Sequence, residues 1–306
     1  MKENPEYIVE VKNLKKSYEK IEAVKGVSFS VSKGELFGLI GPDGAGKTSI
    51  FRILSTLMFP TEGSVSMMNF DVVKDYKIIR NNLGYMPQRF SLYQDLSVEE
   101  NLTFFARIFG TTIEENYDLI KDIYVQIEPF KDRLAGKLSG GMKQKLALSC
   151  ALIHSPEILI LDEPTTGVDA VSRKEFWEML IRLKEKGITI LVSTPYMDEA
   201  NLCDRVALIQ NGEIMSINIP EKIIRDFGRK LWAVKSDNIY HLILDLKGMD
   251  FIDTVFPFGE YIHVTSKIED LDIGELTLRL SKKGHSGIEI CEIEASIEDC
   301  FMELMQ

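Results

Sequence analysis

The chain has 306 residues, room for two domains at roughly 100–200 residues each, and its 45% hydrophobic and 27% charged content is that of an ordinary water-soluble fold. A formal net charge of −11 argues against a nucleic-acid surface, and no run approaches the roughly eighteen apolar residues of a membrane-spanning helix. Met1 to Glu6 lack the apolar core of a secretion signal, and Cys150, Cys203, Cys291 and Cys300 lie far apart without metal-ligand spacing, so they read as reduced thiols in a cytoplasmic chain.

Taken in order, Tyr7 to Val11 and Val27 to Val31 alternate in the manner of strands, and Lys33-Gly34 before Leu36 predicts a hairpin turn. Tyr18 follows Lys15-Lys16-Ser17, an aromatic residue just ahead of a charged loop. Leu36 to Ile40 is an apolar run of the buried-strand type, and Ile50, Ile53, Leu54, Leu57 and Met58 fall at helical spacing. Between strand and helix stands Gly41-Pro42-Asp43-Gly44-Ala45-Gly46-Lys47-Thr48, followed by Ser49. This is the pattern of a phosphate loop in the context it requires. Gly44 and Gly46 let backbone N–H groups approach an anion at the positive end of a helix; Lys47 reaches terminal phosphates, and the Thr48 hydroxyl ligates Mg²⁺. The competing reading, a glycine-rich strand-to-helix turn without a ligand, leaves the Gly46-Lys47-Thr48 ending unexplained.

Ser64 to Met68 and Gly84 to Met86 read as short strands, the second leading to Pro87-Gln88, and Val98 to about Ile127 is helical in period with a break near Gly110. Ser139-Gly140-Gly141 opens a further helix: Ser139 suits an N-cap, and the glycines allow a ligand close approach, which makes a second anion site. Ile158 to Leu161 is a continuous aliphatic strand ending in Asp162-Glu163, and carboxylates at the end of a buried strand call for a cation, with Mg²⁺ the expected one. Val171 to Lys186 is amphipathic and stops at Gly187; Thr189 to Val192 is another buried strand, followed by Ser193-Thr194-Pro195; Asn211-Gly212 is a strong hairpin signal.

Pro220 begins a short helix that runs out near Gly228, and from Lys230 onward glycine motifs vanish and elements shorten. Strands at Leu231 to Lys235, Phe251 to Phe256, Tyr261 to Thr265 and Ile288 to Ile293 alternate with helices at Ile239 to Leu246 and Glu269 to Lys282, before a capped helix from Ser296 to Met305. That order is compatible with a ferredoxin-like split βαβ unit. The expected division is 1–219 and 220–306.

With these motifs in sequence order, residues from about Tyr7 to Ile219 resemble the ATP-binding subunits of ABC transporters. The resemblance implies an α/β P-loop NTPase fold with a mixed sheet core and a helical subdomain, followed by a small C-terminal α+β domain. It further implies that Tyr18 stacks on adenine, that Gln88 senses Mg²⁺ and the attacking water, that Asp162 is the second Mg²⁺ partner, and that Glu163 is the base that polarises that water. Ser139, Gly140 and Gly141 match the signature that contacts ATP held by a second subunit, with Asp169 joining the two sites; Met142 replaces a commoner glutamine. The Leu92-Tyr93-Gln94-Asp95-Leu96-Ser97-Val98 stretch and the ending Ser296 to Phe301 look like the exporter branch, which works with ABC-2-type permeases. The implied partners are a second ATP-binding subunit, in a homodimer or heterodimer, and integral membrane permeases that hold the chain at the cytoplasmic face. Arg89 to Tyr93 then lines a groove for a permease helix, or simply packs the helical subdomain.

One departure stands out. Where the family has a histidine after Ser193-Thr194, this chain has Pro195, which offers neither a side-chain donor nor a backbone N–H. The expectation is a site that binds ATP and hydrolyses it slowly. His154 reads as a helix-terminal charge or a satisfied core residue, and His241, His263 and His285 lie in the extension. Kinases are disfavoured by Glu163 beside Asp162, GTPases by the absence of a guanine-reading motif; the alternative function is a soluble ABC-type ATPase acting on a macromolecular complex.

Overall fold

The computed structural model describes residues 7–268 and 271–305; Met1 to Glu6 and the expected helix start at Glu269 lie outside them. Two compact units result, Met1–Pro220 and Glu221–Gln306.

In the first unit, β1 (Tyr7–Tyr18) and β2 (Ile21–Ser32) form a long hairpin that reverses at Glu19 in the left-handed region. Then come β3 (Leu36–Ile40), α1 (Lys47–Leu54), β4 (Glu62–Met67), β5 (Phe70–Asp71), α2 (Tyr76–Asn81), β6 (Leu83–Met86), α3 (Val98–Ile108), α4 (Tyr117–Tyr124) and α5 (Gly140–Leu152). The unit closes with β7 (Ile158–Asp162), α6 (Ala170–Glu185), β8 (Thr189–Thr194), β9 (Arg205–Gln210) and β10 (Glu213–Asn218), after which α7 (Pro220–Asp226) carries the chain onward. One sheet has the order β2-β1-β4-β5 and is antiparallel; the other has the order β10-β9-β3-β8-β7-β6 and is parallel apart from the β9–β10 hairpin.

The Lys33-Gly34 turn forms, but it does not make a hairpin. It carries the chain from the antiparallel sheet to the centre of the other, where β3 pairs with β8 and β9. Every residue of β3 is buried, so it needs a neighbour on each edge, and Gly34 N donating to Thr189 Oγ1 (2.9 Å) fixes the crossing. The core shared by the two sheets holds Ile50, Phe51, Ile53 and Leu54 of α1, and Phe29 stacks on Phe37 at 5.4 Å. Breaks fall where glycine permits positive φ, at Gly110 (72°) and Gly187 (91°), and Asn211-Gly212 (49° and 81°) turns β9 into β10.

The second unit has β11 (Leu231–Lys235), α8 (Ile239–Lys247), β12 (Ile252–Phe258), β13 (Tyr261–Ser266), α9 (Ile273–Lys282), β14 (Glu289–Ile293) and α10 (Ile297–Leu304). Its antiparallel sheet runs β12-β13-β11-β14, so β13 lies between the two strands that α8 connects, which is a split βαβ arrangement. Trp232, Val234, Leu246, Ile262, Val264 and Leu280 centre its core. Ser296 and Asp299 form a capping box on α10, and Asp299 Oδ1 lies 2.6 Å from His263 Nδ1, whose ring stacks on Phe258. Among the described residues no helix is long and apolar enough to cross a membrane.

Candidate functional site

Buried β3 delivers the glycine loop to the start of α1. Gly46 has φ 103°, and a Cβ there would stand 2.4 Å from Ala23 O; at Gly41 a Cβ would meet Ile209 O at 2.1 Å. The loop is braced from the far end of the unit, since Gly212 N donates to Ala45 O (3.1 Å) and Lys25 N to Gly212 O (2.9 Å). The first turn of α1 has neither a side-chain cap nor an acidic residue, so its N–H groups and dipole are left to an external anion. A pocket of about 240 Å³ opens there, lined by Ala23, Gly44, Ala45, Gly46, Thr48 and Ser49 together with Lys47 and Glu163. Asp43 is exposed at the loop's outer side, and Pro42 gives its carbonyl to Lys47 Nζ at 3.0 Å.

Opposite the loop stand two carboxylates. Asp162 ends β7 in register with Ser193 of β8; its Oδ1 accepts from Ser193 Oγ (2.7 Å) and Thr48 Oγ1 (3.2 Å), while Oδ2 is buried and has no partner among the described residues. Burial raises the Asp162 pKa against the lowering effect of the Ser193 and Thr48 hydroxyls. An orphan carboxylate oxygen beside a threonine hydroxyl is a donor set suited to a hard divalent cation that takes its other ligands from phosphate and water. Glu163, in the left-handed region at φ 50°, donates its N–H to Ser193 Oγ at 3.0 Å. Its Oε1 lies 3.1 Å from Lys47 Nζ, and its Oε2 accepts from Gln88 Nε2 (2.7 Å) and Thr166 Oγ1 (3.4 Å). Lys47 also donates to Gly41 O at 2.7 Å.

The structure thus brings Gly41 to Ser49, Gln88, Asp162 and Glu163 into one constellation. Tyr18, at the end of β1 and 39% exposed, reaches its edge: the hydroxyl shares a hydrogen bond with Ser49 Oγ (3.1 Å) and donates to Met58 Sδ (2.9 Å). Ser139, Gly140 and Gly141 stand elsewhere, at the N-terminus of α5, and no hydrogen bond among the described residues joins them to the loop. Ser139 Oγ accepts from Met142 N, and Gly141 abuts Ser172 so closely that a Cβ would lie 2.9 Å from its Oγ. Asp169 caps α6 through the N–H groups of Val171 and Ser172, and the Ser172 bond foremost holds its pKa down. Pro195 follows Thr194, whose carbonyl accepts from Gly41 N (3.2 Å), so the proline sits one residue from the loop. His154 packs in the helical part of the unit, stacked on Phe109 at 3.8 Å with Nε2 3.2 Å from Leu83 O, and burial lowers its pKa. Sequence reasoning missed Ser193, which bonds both carboxylate residues, and Gly212; the signal for Ser193 was its place at the end of a buried strand.

A sequence profile described as ABC transporter matches residues 24–166. The probable multidrug ABC transporter ATP-binding protein YbhF of Escherichia coli is 39% identical over 220 residues, covering 71% of this chain and 38% of its own length; the chain thus spans little more than a third of that relative. The Nod factor export ATP-binding protein I of Rhizobium sp. is 32% identical over 300 residues, covering 97% of this chain and 96% of its own. Among solved structures, an ATP-binding subunit of an ABC transporter superposes with a TM-score of 0.66 at 29% identity, over 72% of this chain and 93% of its own. A dimeric ATP-binding cassette, MJ0796, bound to ADP and Pi, gives 0.63 at 28% identity, over 69% and 98%. A glycine loop, an uncapped helix and two facing carboxylates, carried on this sheet and matched along nearly the whole chain, place the protein among the ATP-binding proteins of the ABC transporter family.

Proposed function

We propose that the chain binds Mg²⁺-ATP at the glycine loop, hydrolyses it, and powers export through an ABC-2-type permease at the cytoplasmic face of the membrane. The observation that carries the reading is the uncapped start of α1 with Lys47 and the unpartnered Asp162 Oδ2 around one pocket. Gly41 to Gly46 and Ser49 cradle the phosphates, Tyr18 stacks on adenine, and Thr48, Asp162 and Gln88 serve the metal. Bound Mg²⁺ supplies charge neutralisation at the terminal phosphates. Glu163 acts as base: when Lys47 turns to phosphate, the carboxylate exchanges its ion pair for water, and the Gln88 amide holds its other oxygen.

Exposed Gly140 and Ser139, the N-cap of α5, suit contact with ATP on a second subunit, so the active form is a dimer. Pro195 makes this chain's own site slow, and its α5 face completes a faster site on a different ATP-binding subunit. The pocket walled by Leu92 and Phe105 receives a permease helix. Mg²⁺-ATP titration and phosphate release from the purified chain test the core of this reading. Lys47→Ala should abolish both, and an unchanged rate in that variant would refute it.

A further inference from the structure

Between the start of α3 and α4 with the turn that follows it lies a pocket of about 400 Å³. Its lining carries three carboxylates, Glu99, Glu114 and Glu128, against one ammonium, Lys131. The ammonium is already committed: Lys131 Nζ lies 3.3 Å from Glu99 Oε1, and Glu99 N donates to Lys131 O (3.0 Å), which pins the two segments together. Glu114 and Glu128 have no ion-pair partner among the described residues. Two rings complete the wall. Tyr117 and Tyr124 meet edge to face at 87° with centroids 6.2 Å apart, and the Tyr117 hydroxyl lies 3.5 Å from Glu128 Oε2. Tyr124 is only 3% exposed, yet its hydroxyl has no hydrogen-bond partner among the described residues; it is not sealed in the core but opens into this pocket. Burial first, then the Glu99 and Glu128 carboxylates, push its pKa up to about 12, so the hydroxyl keeps its proton in a negative field.

Carboxylates alone would suit a metal ion, but among the described residues no group of three or more acidic, histidine or cysteine side chains could hold one. Negative charge spread around a pocket of this size, with two π-systems and a buried hydroxyl that lacks a partner, calls instead for an extended organic cation. We infer that the pocket binds an aliphatic diammonium ion, the class of the small diamines and polyamines, with one ammonium donating to the Tyr124 hydroxyl oxygen and the two charges balanced by Glu114 and Glu128. Methylenes between the charges lie along the Tyr117 ring. A quaternary ammonium has no N–H to offer Tyr124, and a single ammonium leaves one carboxylate uncompensated. The site stands apart from the glycine loop and does not depend on how that loop is read.

The test is calorimetric titration of the full chain at low salt with putrescine, a four-carbon diamine, beside butylamine and tetramethylammonium. Putrescine should bind roughly tenfold more tightly than butylamine, and tetramethylammonium should bind most weakly. Glu128→Gln should bring putrescine down to the affinity of butylamine. Tyr124→Phe keeps the ring and removes only the hydroxyl, so it should weaken both amines by roughly threefold to tenfold and leave tetramethylammonium unchanged. The free Tyr124→Phe chain should melt with the parent, while the rise in Tm that putrescine produces should shrink. Equal affinities for putrescine and butylamine would overturn the diammonium assignment. Putrescine binding indifferent to both substitutions would put the amine on the acidic surface at large and overturn the site, as would putrescine that gives neither binding heat nor a rise in Tm.

Discussion

Lys47 Nζ and Glu163 Oε1 stand 3.1 Å apart with side chains only 2% and 5% exposed, so the residue proposed for phosphate and the residue proposed for water neutralise each other. Nucleotide binding must separate them. Glu163→Gln should therefore cut hydrolysis by roughly 10²–10⁴-fold while nucleotide affinity holds or rises, because Lys47 loses a competing carboxylate. Single-turnover ATPase assays beside nucleotide titration check this, and a near-normal rate would remove Glu163 from the role of base.

Pro195→His restores a side-chain donor one residue from the strand end that accepts Gly41 N. The rate of the isolated chain should rise by on the order of tenfold to a hundredfold, with little change in ATP affinity. A wild-type chain already as fast as the variant would mean that Pro195 is compensated elsewhere and that asymmetry with a second subunit is unnecessary.

Phe37 is fully buried, stacks on Phe29 and lies under the Arg205 guanidinium at 5.6 Å, and thereby joins the two sheets of the first unit. Phe37→Ala should cost about 3–5 kcal/mol in urea unfolding. Because β3 carries the glycine loop, saturating Mg²⁺-ATP should recover part of that loss, which a thermal-shift series in nucleotide would read.

In the second unit, burial works to raise the Asp299 carboxyl, but the His263 and Ser296 bonds outweigh it and hold the pKa below its ordinary value. A lowered carboxyl stabilises the fold above the usual carboxylate range and loses that contribution as pH falls towards its folded value. The second unit should accordingly weaken on acidification, and Asp299→Asn should flatten that dependence. Trp177→Phe, at an indole nitrogen with no partner among the described residues, leaves Trp232 as the reporter in this unit, and its fluorescence during unfolding at stepped pH tests the point.

That the glycine loop and the Asp162-Glu163 pair belong together was legible in local spacing, Gln88 joined them only through the family resemblance, and the helix boundaries at Gly110 and Gly187 were legible because positive φ is local too. The length of β1 and β2 was not: register irregularities and the polar Lys15-Lys16-Ser17 run mask the alternation that marks a strand. Nor was the destination of β3 after Lys33-Gly34, since a turn fixes reversal and not the sheet that the next strand joins. The Lys47–Glu163 pair and the Gly212 brace depend on strands distant in sequence meeting in parallel, which no window of residues contains.

The position of β3 has a consequence for synthesis. The strand leaves the ribosome early, yet its two neighbours, Thr189–Thr194 and Arg205–Gln210, and the Gly212 that braces Ala45, are made near the end of the unit. At about 5–20 residues per second, an apolar strand with both edges open waits on the order of ten seconds or longer for its partners. During that interval the nascent chain carries the whole glycine motif without the β8, β9 and Gly212 contacts that hold its loop in shape, and the open apolar strand is the part exposed to wrong pairing.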